Sequence, residues 1–267
     1  MKLSFFKYQG TGNDFILIDD RSCFFPFQDV QTIQILCCRS RGIGADGVVL
    51  LQPSNLADFR IRIFNSDGSE AAMCGNGFRC LILYLKDLGF QENSFQIETE
   101  CGVLSSTVQG NTISVKMPPP KVLHWELKLE GGAPFEVFVV HTGVPHAVIF
   151  VEELEEYPVM TMARFIRFHP YFGSEGVNVN FVERMPDGTF HNRTYERGVE
   201  GETLSCGTGS AACAFVSFQK GLTSSPARIF SKSGDCLEFA IKESLENGFE
   251  IEMKGKAFFV FKGVIEI

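Results

Sequence analysis

Asn65-Ser66-Asp67-Gly68-Ser69-Glu70-Ala71-Ala72-Met73-Cys74-Gly75-Asn76-Gly77 runs directly into Phe78-Arg79-Cys80-Leu81-Ile82-Leu83-Tyr84-Leu85-Lys86. The pattern returns 132 residues later. There Glu196-Arg197-Gly198-Val199-Glu200-Gly201-Glu202-Thr203-Leu204-Ser205-Cys206-Gly207-Thr208-Gly209 runs into Ser210-Ala211-Ala212-Cys213-Ala214-Phe215-Val216-Ser217-Phe218. Each copy is a polar turn with a Glu, a Cys-Gly-x-Gly and an apolar stretch of helical character. A second pair supports the first: Gly10–Ile18 resembles His141–Ile149, with Gly12 and Gly143 131 residues apart. A repeat this long is no solenoid; it predicts two homologous domains of about 120 residues with a cleft between them.

The pattern around these anchors predicts a mixed α/β fold with mostly antiparallel sheets, each wrapped around a central helix. Strands are expected at 2–6, 15–19, 58–64, 95–100, 102–109 and 112–116, with helix at 29–39. In the second half the scheme repeats: strands at 135–140, 147–150, 177–183, 189–195, 238–241, 248–253 and 257–267, with helix at 161–167. Met117-Pro118-Pro119-Pro120 breaks any element and marks the domain crossover.

Of 267 residues, 45% are hydrophobic and 21% charged, enough apolar material to exclude global disorder. The net charge of -8, without a basic cluster, argues against a nucleic-acid partner. No apolar run approaches the roughly 18 residues of a membrane helix. The opening residues reach Gly10, Gly12 and Asn13 too soon for a signal peptide. A soluble intracellular protein is the expectation. Nine cysteines form no CxxC pair and five histidines no HxxxH pair, so neither a disulfide scaffold nor a zinc motif is expected. Most of these cysteines read as small buried hydrophobes.

Cys74 and Cys206 are the exceptions. Each lies at the predicted N-terminus of an apolar helix, where free N–H groups and the helix dipole favour thiolate. The glycines allow close approach of a carboxylate or phosphate. Neither copy has a P-loop Lys-Ser/Thr. Two such sites facing one ligand would present two sulfurs to one carbon, one removing a proton and the other returning one. A racemase or epimerase working without a cofactor needs this arrangement.

Six segments, in order along the chain, resemble the diaminopimelate epimerase family: Gly10–Phe15, Arg41–Gly47, Phe64–Cys80, Pro145–Val148, Asn178–Phe181 and Tyr195–Gly209. The resemblance implies a cofactor-independent, metal-free interconversion of LL- and meso-diaminopimelate in lysine and peptidoglycan precursor synthesis. It implies two pseudo-symmetric domains, 1–118 with 256–267 and 119–255, the last strand returning to the first domain. It implies a cytoplasmic homodimer with Cys74 and Cys206 as acid and base. Asn13, Asn65, Asn178, Glu196 and Arg197 would bind substrate, and Gly75, Asn76, Gly207 and Thr208 would offer amides to the reacting carboxylate. His146 and Glu196 would modulate the two bases.

Two positions depart from the commonest family pattern: Val144 stands where Asn is usual, and Gly47 where Gln is frequent. Val144 lacks a side-chain donor, which implies a distal end read less strictly and tolerance of another amino acid such as glutamate. Two rival readings are a related racemase or isomerase of the same scaffold, such as proline racemase, and a non-catalytic metabolite-binding protein. A thiol-disulfide enzyme is a third.

Overall fold

A computed structural model describes residues 2–130, 136–245 and 248–266. The chain divides into two compact units, Met1–Val115 with Gly255–Ile267, and Lys116–Lys254.

The first unit runs β1 (Lys2–Gly10), β2 (Asn13–Asp19), α1 (Val30–Cys37), β3 (Gly47–Gln52), β4 (Phe59–Asn65), β5 (Glu70–Ala71), α2 (Gly75–Asp87), β6 (Ser94–Thr99), β7 (Gly102–Gln109) and β8 (Thr112–Lys116). The β1–β2 hairpin closes through Thr11 (φ 53°) and Gly12 (φ 79°), the left-handed pair of a two-residue turn. β2 then pairs parallel to β3 across α1, β3 antiparallel to β4, and β4 parallel to β6 across α2. The pairs β6–β7 and β7–β8 are antiparallel. The chain's last strand, Phe258–Glu266, pairs antiparallel with β1.

The second unit repeats this connectivity. It runs β9 (Lys121–Leu127), β10 (Val137–His141), β11 (Pro145–Phe150), α3 (Val159–Arg167), β12 (Asn178–Arg184), β13 (Phe190–Glu196), β14 (Gly201–Thr203), α4 (Gly207–Gln219), β15 (Ala227–Phe230), β16 (Cys236–Ser244) and β17 (Gly248–Lys256). The final strand becomes β18. The pairings β10–β11, β12–β13, β15–β16 and β16–β17 are antiparallel, and β11–β12 and β13–β15 are parallel across α3 and α4. β9 takes the place against β10 that β18 takes against β1.

Each unit has two apolar layers because strand side chains alternate. In the first, Ile16, Ile18, Val48 and Leu50 pack with Ile33 and Leu36 of α1. In the second, Ala147, Ile149, Val179 and Phe181 pack with Val159, Ala163 and Ile166 of α3. The alternate residues face the central helix. Gly75–Leu85 of α2 is buried throughout, and so is Gly209–Ser217 of α4. A helix buried on every side is stable only when surrounded, and here the sheet curls around it.

The two-domain, mostly antiparallel α/β reading holds. β3, β9 and β15, and the short β5 and β14, were not anticipated. Gly47-Val48-Val49-Leu50-Leu51-Gln52 is buried on both faces, so it lacks the period-two alternation that marks a half-exposed strand. β9, exposed along almost its whole length, shows no alternation either. Phe135 and Ile267, at the expected ends of two strands, lie outside the described residues.

Candidate functional site

Cys74 is the N-cap of α2 and Cys206 the N-cap of α4, with backbone angles of -139°, 114° and -124°, 108°. In each case the helix starts on the cysteine carbonyl, which accepts from Phe78 N–H and Ser210 N–H at 2.9 Å. Neither cysteine side chain caps its own helix. Both sulfurs therefore stand at the positive end of a thirteen-residue helix with glycine at the next position. The second cysteine of each copy has another role. Cys80 and Cys213 are fully buried, and burial pushes both thiols far up.

The expectation that most cysteines are buried needs correction. Cys37, Cys80, Cys206 and Cys213 are buried, whereas Cys23 and Cys101 are exposed and Cys38, Cys74 and Cys236 half-buried. Cys101 lies in a turn and Cys23 in the irregular segment that follows one.

In the first unit Cys74 Sγ donates to Asn13 Oδ1 at 3.8 Å. Asn13 Oδ1 also accepts from Asn76 Nδ2 (3.3 Å), and Asn13 Nδ2 donates to Asp46 Oδ2 (2.8 Å). Asn76 Oδ1 accepts from Arg79 (2.8 Å), whose buried guanidinium also donates to Gly75 O, Thr11 Oγ1 and Lys256 O. Arg39 bridges Asp14 and Asp46. Burial opposes the charge on Asp14, but hydrogen bonds from Arg39 and Lys7 outweigh it and hold that carboxyl well below the usual range. Asn65, at the end of β4, donates to Ser69 Oγ at 3.0 Å.

In the second unit Cys206 Sγ lies 3.5 Å from Thr208 Oγ1, which lies 2.9 Å from His146 Nε2. His146 Nδ1 faces Asn180 Nδ2 at 3.1 Å, and Asn180 is held by Ala147 O (3.0 Å) and Thr194 Oγ1 (3.0 Å). Thr142 Oγ1 donates to Thr208 O at 2.8 Å, fixing the start of α4. Complete burial pushes the His146 pKa down to about 3. Asn178 accepts from Arg197 N–H (2.8 Å) and donates to Pro145 O (3.3 Å). Glu196 accepts from Thr203 Oγ1 at 2.5 Å. The half-exposed Arg197 guanidinium lies 3.6 Å from the highly exposed Glu175 carboxylate, so it can exchange that partner for a ligand carboxylate. Val144 sits in the three-residue β10–β11 turn, its carbonyl accepting from Thr142 N–H.

Registers show which residues correspond. Phe15 pairs Gly47 where His146 pairs Asn178, and Leu17 pairs Val49 where Val148 pairs Asn180. Val49 pairs Ile63 where Asn180 pairs Thr194. The inner face beneath Cys74 is thus Phe15, Val49 and Ile63, and beneath Cys206 it is His146, Asn180 and Thr194. A Cβ on Gly77 would meet Val49 and Phe15 at 3.4 and 3.5 Å, whereas one on the equivalent Gly209 would meet Asn180 Oδ1 at 2.2 Å. Gly77→Ala is expected to leave stability within about 1 kcal/mol, helix propensity offsetting a slight squeeze. Gly209→Ala is expected to cost about 1–3 kcal/mol by overpacking and to lower turnover, read from urea midpoints and initial rates. Gly47 has no room either: its Cβ would meet Phe64 O at 2.4 Å, so Gln at this position requires the strand pair to shift.

Protonation is linked to stability at this site. Unfolded His146 would titrate near 6.5, but the native ring stays neutral to about 3. Between these values the unfolded state binds the extra proton, so stability rises with pH and is lost as pH falls from about 6.5 toward 3. Asp14 adds to the loss below about pH 4, where its unfolded carboxyl protonates and the native one does not. Urea midpoints across pH 4.5–6.5 should give a slope for His146→Gln that is shallower by up to about 1.4 kcal/mol per pH unit.

Sequence reasoning missed Arg79, Thr11, Asp46, Asn180 and Thr194. Arg79 was visible as a cation inside an apolar helix, and Asn178-Val179-Asn180 as polar residues at alternate positions of a buried strand. Among the described residues, no group of three or more His, Cys, Asp or Glu could hold a metal ion. No described helix is long and apolar enough to cross a membrane.

The fold is shared with solved structures of low sequence identity. A phenazine biosynthesis protein of the PhzF family from Bacillus anthracis superposes with a TM-score of 0.77 at 16% identity, covering all of both chains. A hydroxyproline epimerase from Agrobacterium vitis gives 0.74 at 18%, covering 99% of this chain and 91% of that one. These likenesses define a duplicated two-domain scaffold, and each domain here carries a cysteine at the N-cap of its central helix.

Sequence narrows the class. The diaminopimelate epimerase family model matches residues 5–123 and 138–260. Diaminopimelate epimerases from Aquifex aeolicus and Methanothrix thermoacetophila are 41% and 42% identical, covering 98% and 99% of this chain and 97% and 96% of theirs. The chain belongs to the diaminopimelate epimerase family.

Proposed function

We propose that this chain interconverts LL- and meso-2,6-diaminopimelate without a cofactor, with Cys74 and Cys206 as the two proton-transfer groups. The observation that carries this assignment is the matched pair of N-cap cysteines, each on a buried helix and neither serving as its cap. The Cα–H bond breaks as one thiolate takes the proton, and its electron pair spreads into the adjacent carboxylate. The other cysteine's S–H bond breaks to form a new Cα–H bond on the opposite face. The first thiol and second thiolate then exchange roles in the reverse direction.

A Cα proton beside a carboxylate is very weakly acidic, so the developing charge needs fixed donors. The first-turn amides of Gly75-Asn76 and Gly207-Thr208 supply them at the helix ends. Asn13, Asn65, Asn178 and Glu196 hold the amino-acid groups, and Arg197 grips a distal carboxylate. His146 and Glu196 orient or modulate the bases. The product serves lysine and peptidoglycan precursor synthesis in the cytoplasm. The working form is a homodimer; β18 leaves Val260, Phe261 and Val264 exposed, an apolar strip suited to a second copy.

The test is the substrate Cα proton signal in D2O. Purified reduced protein should exchange it for both LL- and meso-diaminopimelate and yield the other isomer. No exchange on either would refute the reading. Val144 supports a broader substrate range, because it removes one side-chain bond to a charged end. On that basis glutamate should epimerise detectably, and Val144→Asn should raise the diaminopimelate-to-glutamate ratio of kcat/KM about tenfold. An unchanged ratio would refute the broader range.

A further inference from the structure

The two half-sites have the same backbone, but their hydrogen bonds run in opposite directions. A guanidinium can only donate and a carboxylate or peptide carbonyl can only accept, so a few fixed groups orient every amide and ring between them. In the first unit Arg79 fixes Asn76 Oδ1 toward itself, which turns Asn76 Nδ2 toward Asn13. Asp46, paired with Arg39, fixes Asn13 Nδ2 from the other side. Both constraints turn the Asn13 carbonyl oxygen toward Cys74, where it accepts the thiol proton.

In the second unit Ala147 O and Thr194 fix Asn180 so that its N–H faces His146 Nδ1. Nδ1 is then an acceptor, and the neutral ring carries its proton on Nε2. Nε2–H donates to Thr208 Oγ1, leaving the Thr208 hydroxyl hydrogen for Cys206 Sγ. A hydrogen bond accepted by sulfur favours thiolate, and one donated by it favours thiol.

We infer that the enzyme rests with Cys206 as the thiolate and Cys74 as the thiol, a polarity set by Asn180 and Thr208 on one side and by Asn76 and Asn13 on the other. This rests on the reading of Cys74 and Cys206 as the proton-transfer pair. Around Cys74 the Arg79 cation in α2 is set against Asp14 and Asp46 from the β2 side, with Arg39 and Lys7 on those carboxylates. Around Cys206 the neutral His146 has His141 and Arg197 for neighbours, with Glu196 beyond on β13. The neutral donors and acceptors touching the sulfurs distinguish the two sites. Asn180 and Thr208 act here as positioning residues. Duplication left an apolar Val49 and Ile63 at the places where the second copy carries Asn180 and Thr194, so only one half has this relay.

The test is peptide-resolved alkylation by iodoacetamide across pH, with rates read by mass spectrometry, beside a Cα exchange assay on LL-diaminopimelate. Midpoints, unlike absolute rates, are insensitive to how open each sulfur is. The Cys206 midpoint should lie below that of Cys74. Thr208→Val should raise it by about one pH unit, a tenfold loss of thiolate at a given pH, while Thr208→Ser should keep it within about 0.3. An active enzyme in which Cys74 titrates first or together with Cys206, or in which Thr208→Val leaves the Cys206 midpoint in place, overturns the inference and leaves the epimerase reading standing. Wild-type protein that exchanges no Cα proton overturns both.

Discussion

Cys74→Ala and Cys206→Ala should each lower the rate of isomer interconversion by a factor of about 10⁴ or more, while leaving the protein folded. Neither thiol caps a helix or fills the centre of a core, so the structural cost is small. The chemical cost is the loss of a proton donor or acceptor that no neighbour replaces. Thr208 and Asn13 stand beside the sulfurs, but a hydroxyl or an amide is far too weak a base to take a Cα proton. Serine at either position should be nearly as poor as alanine, because its alkoxide is not populated near neutral pH. The two losses should not add in the double variant, since proton removal and return form one unit. The readout is initial rate with circular dichroism as the folding control. A single variant that retained a tenth of the wild-type rate would refute the assignment of that cysteine.

The second large effect concerns Arg79, which sequence reasoning passed over. Its fully buried guanidinium reaches the Gly75 carbonyl, the Asn76 side chain, Thr11 in the β1–β2 turn and the Lys256 carbonyl before β18. Thr11 is a β-branched residue held at φ 53°, a costly conformation that persists only where its surroundings enforce it. Arg79→Leu would leave buried acceptors without this donor, each at about 1–3 kcal/mol, partly offset by removing a buried charge. The expected net loss is about 3 kcal/mol in urea unfolding. Activity should fall at least about tenfold in the protein that remains folded, because Asn76 and then Asn13 lose their orientation. A loss below about 1 kcal/mol would show that these contacts do not hold the turn.

Much of this was legible because duplication makes the sequence comment on itself. The two Cys-Gly-x-Gly segments located both central helices, and the second matched pair, Gly10–Ile18 and His141–Ile149, falls on the two hairpins that the structure shows. Strands with one open face, such as β4, showed their alternation. Strands covered on both faces did not, which is why β3 escaped detection. The half-sites were legible only as far as the cysteines and the family motifs. Asn180 and Thr194 belong to the site through cross-strand register, and register is a property of pairing that no single strand displays. Arg79 read as an anomaly in a buried helix because its acceptors come from segments as distant as Thr11 and Lys256.

The central claim is that two separate groups handle the two proton transfers. The most direct measurement is the position of deuterium at low conversion, starting from pure LL-diaminopimelate in D2O. The account predicts that newly formed meso isomer carries deuterium at the inverted carbon while recovered LL substrate keeps its proton, because the removed proton and the returned one belong to different sulfurs. Deuterium appearing equally in recovered substrate and product from the first turnovers, or product retaining the original proton, would mean that one group serves both faces and would contradict it.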